Sequence, residues 1–289
     1  MPEYHIQHQT QYTYNQPVWL GAHLLRLRPR SDGWQTLQKF NLQVSPPPGG
    51  QSEIIDLDGN NALQIWFDKP IEQLMLHTSS IVETHIENPF NYIIDPWGAQ
   101  LVIDYPDSLA GQLQPYLKPY GLAGDGIVTE IARDMLSQTD NNLLSFLSAL
   151  NNSIYQHCQY VVRDTGEPWL PGRTWRDKQG SCRDFVVLFM DVCRTVGLAT
   201  RFVSGYQEGD VDQDGRDLHA WVEVYIPGGG WRGYDPTLGL AVCDRHIALA
   251  ASAIPKYCAP IVGNTTGLEK GKPIKSNLMA QIIINRVRE

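Results

Sequence analysis

The sequence predicts a protein of the α+β class, in which strands, then helices, then strands follow one another along the chain. Apolar and polar residues alternate within residues 4–95, where Asp58-Gly59-Asn60-Asn61 separates two apolar runs and predicts a hairpin turn. Apolar residues then recur at helical spacing from Ile127 to Ile154 and from Phe185 to Val196. Alternation returns at Leu218 and leads into a glycine-rich turn and a second short strand.

Composition bounds the class of protein. The chain has 289 residues, 42% hydrophobic and 19% charged, which is enough for one large or two ordinary globular domains. A net charge of −8 argues against nucleic acid or an anionic membrane as a partner. Residues 1–5 lack the basic and then apolar run of a signal peptide, and no apolar stretch approaches the ~18 residues that span a bilayer. We therefore expect a cytoplasmic protein.

The cysteines favour the same location. Their number is odd and no Cys-x-x-Cys pair occurs, which favours reduced thiols over a disulfide framework. The sequence contains no Cys-x-x-Cys pair and no His-x3–5-His pair of the kind that binds zinc. We therefore expect no metal and no cofactor. The five are Cys158, Cys182, Cys193, Cys243 and Cys258.

The patterning divides the chain into four parts. Residues 1–95 predict a small antiparallel sandwich or barrel, in which no chemical motif is found. Residues 96–126 are rich in proline and glycine and are expected to form a linker. Residues 127–265 carry the helices and the second set of strands, and residues 266–289 a last strand that completes one of the two sheets.

Cys182 stands at the start of a predicted amphipathic helix. Ser181 is a suitable N-cap, Asp184 follows as in a capping box, and Gly197 supplies the stop. The apolar stripe passes through Cys193 and leaves Cys182 outside it. Because the free N–H groups and dipole of a first turn favour a thiolate and suit an oxyanion, Cys182 is a candidate nucleophile. The alternative is a small buried cysteine, which is our interpretation of Cys193.

His219 and Asp235 lie on two predicted strands joined by a turn at residues 227–230. If Ile226 pairs near Trp231, Asp235 falls within roughly three residues of the position opposite His219. An imidazole base and a carboxylate that orients it are the partners that a thiol nucleophile needs. Taken singly, His219 is more simply a core or surface histidine and Asp235 a turn initiator. Their occurrence together after a helix-capping cysteine favours catalysis.

Several segments resemble the bacterial transglutaminase-like family, whose members belong to the papain-like cysteine hydrolase superfamily. They are Gly180–Phe185, Arg201–Tyr206, Asp217–Tyr225, Gly230–Thr237, His246–Ala250 and Ala259–Gly263. The start of the chain, with Tyr12-x-Tyr14, Pro17-Val18 and Leu25–Arg30, is similar to the β-rich N-terminal domain of that family. The resemblance covers most of the chain.

The resemblance implies a papain-like core, in which the helix that carries Cys182 packs on an antiparallel sheet that carries His219 and Asp235. It implies that Cys182 attacks a carboxamide or peptide carbonyl. His219 then activates the thiol and protonates the leaving group, and Asp235 fixes the imidazole. Ser181 and Asp184 are expected to have structural roles near the site.

Three aromatic residues are candidates for the substrate cleft: Tyr206, Trp221 and Trp175. Trp221 shares a strand face with His219, and Tyr206 ends the strand after the helix, where a packing role is the alternative. Trp175, like Trp169, is much nearer Cys182 in sequence than the tryptophan that assists the oxyanion in eukaryotic transglutaminases. We assign the oxyanion role to neither.

One acidic motif points elsewhere. Asp210-x-Asp212-x-Asp214-Gly215 copies the first half of a calcium-binding loop. The twelfth position is Trp221, where such a loop requires a bidentate glutamate, so a solvated acidic loop is the better interpretation.

These observations predict an enzyme that acts on amide or peptide bonds through a thioester, either as a hydrolase or as an amine transferase. The expected substrate is a peptide or protein that offers a glutamine side chain or a peptide bond. Two alternatives are a non-catalytic binding module of the same fold and an acyltransferase of the arylamine type. The latter would need a thioester donor, and no coenzyme A site is recognisable.

Overall fold

The computed structural model of the chain describes residues 1–121, 124–163, 165–209, 218–268 and 272–288. The N-terminal strands are β1 (Glu3–Leu20), β2 (His23–Leu25), β3 (Gln35–Ser45), β4 (Gly50–Ile55), β5 (Asn61–Trp66) and β6 (Ile71–Thr84). The helices are α1 (Asp107–Leu113), α2 (Gly126–Gln138), α3 (Leu143–His157), α4 (Pro171–Asp177) and α5 (Cys182–Thr195). Short strands β7 (Gln159–Tyr160) and β8 (Gln179–Gly180) form a parallel pair.

The strands after α5 are β9 (Thr200–Gln207), β10 (His219–Ile226), β11 (Gly230–Asp235), β12 (Leu240–Ala241) and β13 (His246–Ser252). They form one antiparallel sheet in the order β12-β11-β10-β9-β13, which we call the core sheet. The chain ends with β14 (Ile261–Val262), β15 (Thr265–Gly267) and β16 (Ser276–Arg288). Short 3₁₀ turns lie at Pro96–Gly98, Gln114–Leu117 and Pro255–Cys258.

The N-terminal region is all β, as predicted. One sheet has the order β15-β1-β6-β3, with β16 also paired to β1, and the other has the order β14-β2-β5-β4. Apolar residues of both sheets share one buried cluster, which includes Val18, Leu74 and Ile65. The two sheets therefore face each other as a sandwich.

The predicted hairpin at residues 58–61 is confirmed. Ile55 pairs with Asn61 across the turn, and Gly59 takes a φ of 75°, a left-handed value that glycine adopts at little energetic cost. Asp56 stabilises the turn through its Oδ1 atom, which accepts hydrogen bonds from the backbone N–H groups of Asp58 and Asn60.

The strands β13 and β16 join different sheets. β13 pairs with β9 in the core sheet, whereas β16 returns to the N-terminal region and pairs with β1 over most of its length. The chain therefore passes back to its first sheet after completing the core sheet.

α5 is the central helix of the second half. It packs against β9 and β10 on one side and against α2, α3 and α4 on the other. Its side chains Phe185, Phe189 and Val192 are buried in the largest apolar cluster of the described residues. Within the described parts of the chain, no helix combines the length and apolar character needed to cross a membrane.

The structure differs from the linker expected at residues 96–126. The described part of this segment contains α1 and two 3₁₀ turns, and Leu101 and Ile103 are buried in the same cluster as α5. Prolines and glycines set turns, but they do not determine whether the apolar residues between them pack on a core.

Candidate functional site

Cys182 is the first residue of α5, as the sequence predicts. The side chain is buried, with 7% of its surface exposed, and the helix behind it is held by apolar contacts on nearly every side. The sulfur therefore sits at the N-terminal end of a rigid helix, where the backbone N–H groups and the helix dipole favour negative charge.

Asp184 holds the start of this helix in place. Its Oδ2 atom accepts the backbone N–H of Ser181 at 2.7 Å and the Ser181 hydroxyl at 2.8 Å. Its Oδ1 atom accepts the amide of Trp169 at 2.7 Å, and Arg163 donates to both oxygens. Burial alone would raise the pKa of Asp184, but these hydrogen bonds, that of Arg163 foremost, hold it below its usual range.

His219 and Asp235 meet across the β10–β11 hairpin. The register pairs Val222 with Tyr234, one residue away from the expected alignment, and this places Asp235 diagonally across from His219. The two side chains can meet along this diagonal because both extend from the same face of the sheet. The Nε2 atom of His219 donates to Oδ2 of Asp235 at 2.6 Å.

The imidazole of His219 also interacts with the side chain of Cys182, and this interaction contributes to the raised pKa of His219. Since Nε2 is directed at Asp235, Nδ1 is the nitrogen left for the sulfur. Burial lowers the pKa of His219, but the Asp235 carboxylate, with a smaller contribution from Cys182, outweighs burial and raises it to about 10. The raised pKa keeps a positively charged imidazole beside the sulfur at neutral pH, which is the environment in which a cysteine acts as a nucleophile.

Asp235 is fully buried and accepts hydrogen bonds on both oxygens. Oδ1 accepts the amide of Thr237 at 2.9 Å and that of Leu238 at 3.3 Å. Oδ2 accepts hydrogen bonds from His219 and from His246, whose Nε2 atom lies 3.1 Å away. Burial raises the pKa of Asp235, but the charge and hydrogen bond of His219, with the hydrogen bond of His246, overcome this effect and keep the carboxyl ionised.

His246 is the site residue that the sequence interpretation missed. It begins β13, next to β9 in the core sheet, and belongs to a strand-like segment that resembles the transglutaminase-like family. Its contact with Asp235 depends on strand order, which the local pattern does not report. The only sequence signal is a histidine at the head of an alternating apolar strand.

The three candidates for the substrate cleft lie in packed or cavity-lining positions. Tyr206 is 1% exposed and lies in the contact between the N-terminal region and the core sheet, where its hydroxyl meets Nδ1 of buried His8 at 3.0 Å. Trp221 is also 1% exposed and packs beneath the site with Val203 and Val242. Both side chains are therefore packed inside the protein, because a position on a strand does not reveal whether the face of the sheet that carries it is covered.

Trp175 lies on α4, with the ammonium of Lys178 3.1 Å from its ring centre. It lines a cavity of about 510 Å³ between α2, α3 and α4, and Cys182, His219 and Asp235 are not among the residues that line this cavity. The structure therefore gives Trp175 a place in the helical layer.

His219, Asp235 and His246 could in principle hold a metal ion, since their donor atoms lie within 4.8 Å of one another. Both imidazoles already direct an N–H at the same carboxylate oxygen, so an ion would have to break two hydrogen bonds in a buried place. A hydrogen-bonded network explains the cluster without a metal. The calcium-like motif at Asp210–Asp214 lies outside the described residues.

Family comparison agrees with this geometry. Residues 4–83 match the bacterial transglutaminase-like N-terminal region, and residues 129–236 match the transglutaminase-like superfamily. The chain belongs to the bacterial transglutaminase-like proteins. The transglutaminase-like match includes Cys182, His219 and Asp235 and ends before His246.

Relatives of this transglutaminase-like chain match it over very different shares of its length. An uncharacterized protein of Mycobacterium tuberculosis is 28% identical over 85% of this chain and 82% of its own. A protein-glutamine gamma-glutamyltransferase of Pseudomonas aeruginosa is 35% identical, over 22% of this chain and 11% of its own.

Among solved structures, one from Cytophaga hutchinsonii, described as a candidate cysteine protease, has the same fold. It matches with a TM-score of 0.78 at 18% identity, over 100% of this chain and 91% of that protein. Both the β-rich N-terminal region and the transglutaminase-like core are therefore shared with a known structure.

Proposed function

We propose that this protein is a thiol enzyme that cleaves or transfers the acyl group of an amide or peptide bond, with Cys182, His219 and Asp235 as its catalytic residues. The observation that carries the proposal is the position of His219, which interacts with Cys182 and donates a hydrogen bond to buried Asp235. The fold family is consistent with cysteine-based hydrolases and transferases.

In the first step the sulfur of Cys182, as thiolate, bonds to the carbonyl carbon, and the C=O pair moves onto oxygen to give a tetrahedral oxyanion. The C–N bond then breaks as the imidazolium of His219 gives its proton to the leaving nitrogen. The products are a thioester on Cys182 and free ammonia or an amine. Asp235 stays ionised and keeps the imidazole oriented.

In the second step water or another amine attacks the thioester while His219 removes its proton, which releases an acid or a new amide. We favour a peptide or protein substrate with a glutamine side chain or a peptide bond. The similarity of a short segment to a protein-glutamine gamma-glutamyltransferase supports the glutamine option. A cytoplasmic location remains part of the proposal, and all five cysteines are free, which suits a reducing compartment.

The proposal is tested by iodoacetamide labelling at mildly acidic pH, with each cysteine followed by peptide mass spectrometry. Cys182 is expected to react selectively, because its neighbouring imidazolium favours the thiolate, and His219→Ala is expected to abolish the selectivity. His157→Ala, on the exposed end of α3, is the control and should leave labelling unchanged. Equal reactivity of Cys182 in the wild type and in His219→Ala would favour a non-catalytic binding module of the same fold.

A search for the substrate can use Cys182→Ala as a trap. Cellular peptides retained by this variant and released by Cys182-containing enzyme with loss of ammonia would identify a glutaminyl substrate. Peptides cut in the main chain would identify a peptidase instead.

A further inference from the structure

We propose that His246 is a positioning residue for the proposed active site, held there by the N-terminal region through Gln35 and Asn60. The inference rests on the proposed function and assigns a role to the N-terminal sandwich. It concerns residues on three separate parts of the chain that meet at β13.

The ring of His246 is fixed on two sides. Its Nε2–H donates to Oδ2 of Asp235 at 3.1 Å, and Trp221 meets the ring edge-on with centroids 5.2 Å apart. The Nδ1 atom is buried and has no hydrogen-bond partner among the described residues. The tautomer that carries its proton on Nε2 donates that proton to the Asp235 carboxylate. It places no hydrogen on the buried Nδ1 atom, so no buried N–H is left without a partner.

Asp235 depends on this second donor. A buried carboxylate is tolerated only when hydrogen bonds replace the water that it has lost. Oδ1 is held by two backbone amides, whereas Oδ2 is held, among the described residues, by the two imidazoles alone. Without His246 the carboxylate would lose the donor that fixes Oδ2 independently of His219.

His246 begins an edge strand whose outer side is covered by the N-terminal region. The side chain of Gln35 accepts a hydrogen bond from the backbone N–H of Ala248 at 2.7 Å and donates one to the backbone carbonyl of Ala248 at 3.0 Å. Asn60 repeats the pattern at Ala251, with distances of 2.9 Å and 2.8 Å. Each buried amide side chain makes the two hydrogen bonds that the backbone of a further strand would make.

These two amides help to determine which residue of β13 meets Asp235. The pairing of β13 with β9 has an irregularity between Ala248 and Ala250, so it does not fix the register by itself. A slip of one residue would turn His246 to the opposite face of the sheet. Gln35 and Asn60 oppose that slip, and they connect the N-terminal sandwich to the proposed catalytic carboxylate.

The rate at which iodoacetamide labels Cys182 tests this role without a substrate. His246→Leu removes the donor and is expected to slow labelling about tenfold or more. His246→Gln keeps an N–H that can reach Asp235 and is expected to recover the rate to within about threefold of wild type. A wild-type rate in His246→Leu, or an equally slow rate in both variants, would overturn the proposal.

Gln35→Leu tests the contribution of the N-terminal region. It is expected to slow labelling severalfold, while Gln38→Leu, the same change on the exposed side of β3, retains the wild-type rate. Equal rates in the two glutamine variants would overturn the part of the proposal that concerns the N-terminal region.

The imidazole N–H resonances of protein labelled with ¹⁵N-histidine separate positioning from simple stability. The His246→Leu spectrum is expected to lose one low-field resonance and to show a shifted resonance for His219, because the shared carboxylate oxygen now accepts one donor. An unmoved His219 resonance would count against the proposal.

The result for His219→Ala separates the two proposals. If this variant labels as fast as wild type, the proposed function fails. If it labels slowly while His246→Leu and Gln35→Leu label at the wild-type rate, the proposed function stands and only the role of His246 and its supports fails.

Discussion

The Nε2 atom of His219 lies 2.6 Å from Oδ2 of Asp235, although the two residues are 16 positions apart and stand on different strands. The short hydrogen bond ends on a carboxylate with no exposed surface. Because the anion is buried, its effect on the imidazole is screened little by solvent, and it outweighs the tendency of burial to remove the imidazolium charge. Asp235 therefore decides the protonation state of His219.

Asp235→Asn removes this charge at nearly constant volume. We expect the rate of Cys182 labelling to fall about a hundredfold or more, since an amide supports neither the imidazolium nor its orientation equally well. Mass spectrometry of the labelled Cys182 peptide measures the loss. Asp177→Asn, in an exposed ion pair on α4, is the control. Loss of less than about threefold would mean that the carboxylate does not act through His219.

The titration of His219 should be displaced to high pH. Its pKa is raised to about 10 from 6.5, so its stabilising contribution is complete below about pH 6.5 and is lost as pH rises through about 10. The ¹³Cε1 chemical shift of His219 measures this directly. Asp235→Asn should move the midpoint downward, and a wild-type midpoint near 6.5 would contradict the assignment of the ion pair.

His8 predicts an acid-dependent loss of stability. It is buried against Tyr206, and desolvation lowers its pKa from 6.5 to about 4, so the folded protein resists the proton that the unfolded chain binds. Its stabilising effect is present above about pH 6.5 and falls by about 3 kcal/mol as pH drops toward 4. Urea unfolding at pH 7 and pH 4.5 should show a smaller difference for His8→Gln than for wild type. His157→Gln should keep the wild-type difference.

Asp184→Asn should destabilise the protein by about 3 kcal/mol, because it breaks a buried ion pair and weakens the cap of α5. Arg163 is its charged partner, and Ser181 and Trp169 donate to it from the backbone. Urea unfolding measures the change. Arg173→Gln, in a largely exposed pair, is expected to cost below about 1 kcal/mol. Comparable losses in the two variants would show that Asp184 is not a buried anchor.

The parts that the sequence predicts correctly are set by local chemistry. The start of α5 follows from Ser181 and Asp184, and the hairpin at residues 58–61 follows from Gly59 and its polar neighbours. The approach of His219 to Asp235 could be predicted because a short turn limits the possible registers to a few. Each of these features depends on residues that are close in sequence.

The parts that were missed depend on which elements meet in three dimensions. Tyr206 lies on β9, and residues of the N-terminal sandwich cover its side chain. The sequence of β9 alone does not show this cover. His246 reaches Asp235 only because β13 pairs beyond β9, an order that no local pattern encodes. The same holds for Leu101 and Ile103, which pack on a core built from residues distant in sequence.

Gly205→Ala probes the packing between β9, β13 and the residues behind the site. An added Cβ would lie 2.2 Å from the carbonyl oxygen of Ile247 and 2.6 Å from the buried ring of Trp221, and neither neighbour has room to move. We expect destabilisation of about 3 kcal/mol in urea unfolding, and slower labelling of Cys182 because β13 must shift and carry His246 with it. Gly111→Ala, in α1 with open space around the added carbon, should be neutral or stabilising by about 0.5–1 kcal/mol. Normal labelling by a folded but destabilised Gly205→Ala protein would mean that the position of β13 does not control the reactivity of the Cys182 thiol. A stability equal to that of wild type would mean that β9 and β13 are less closely packed than the structure indicates.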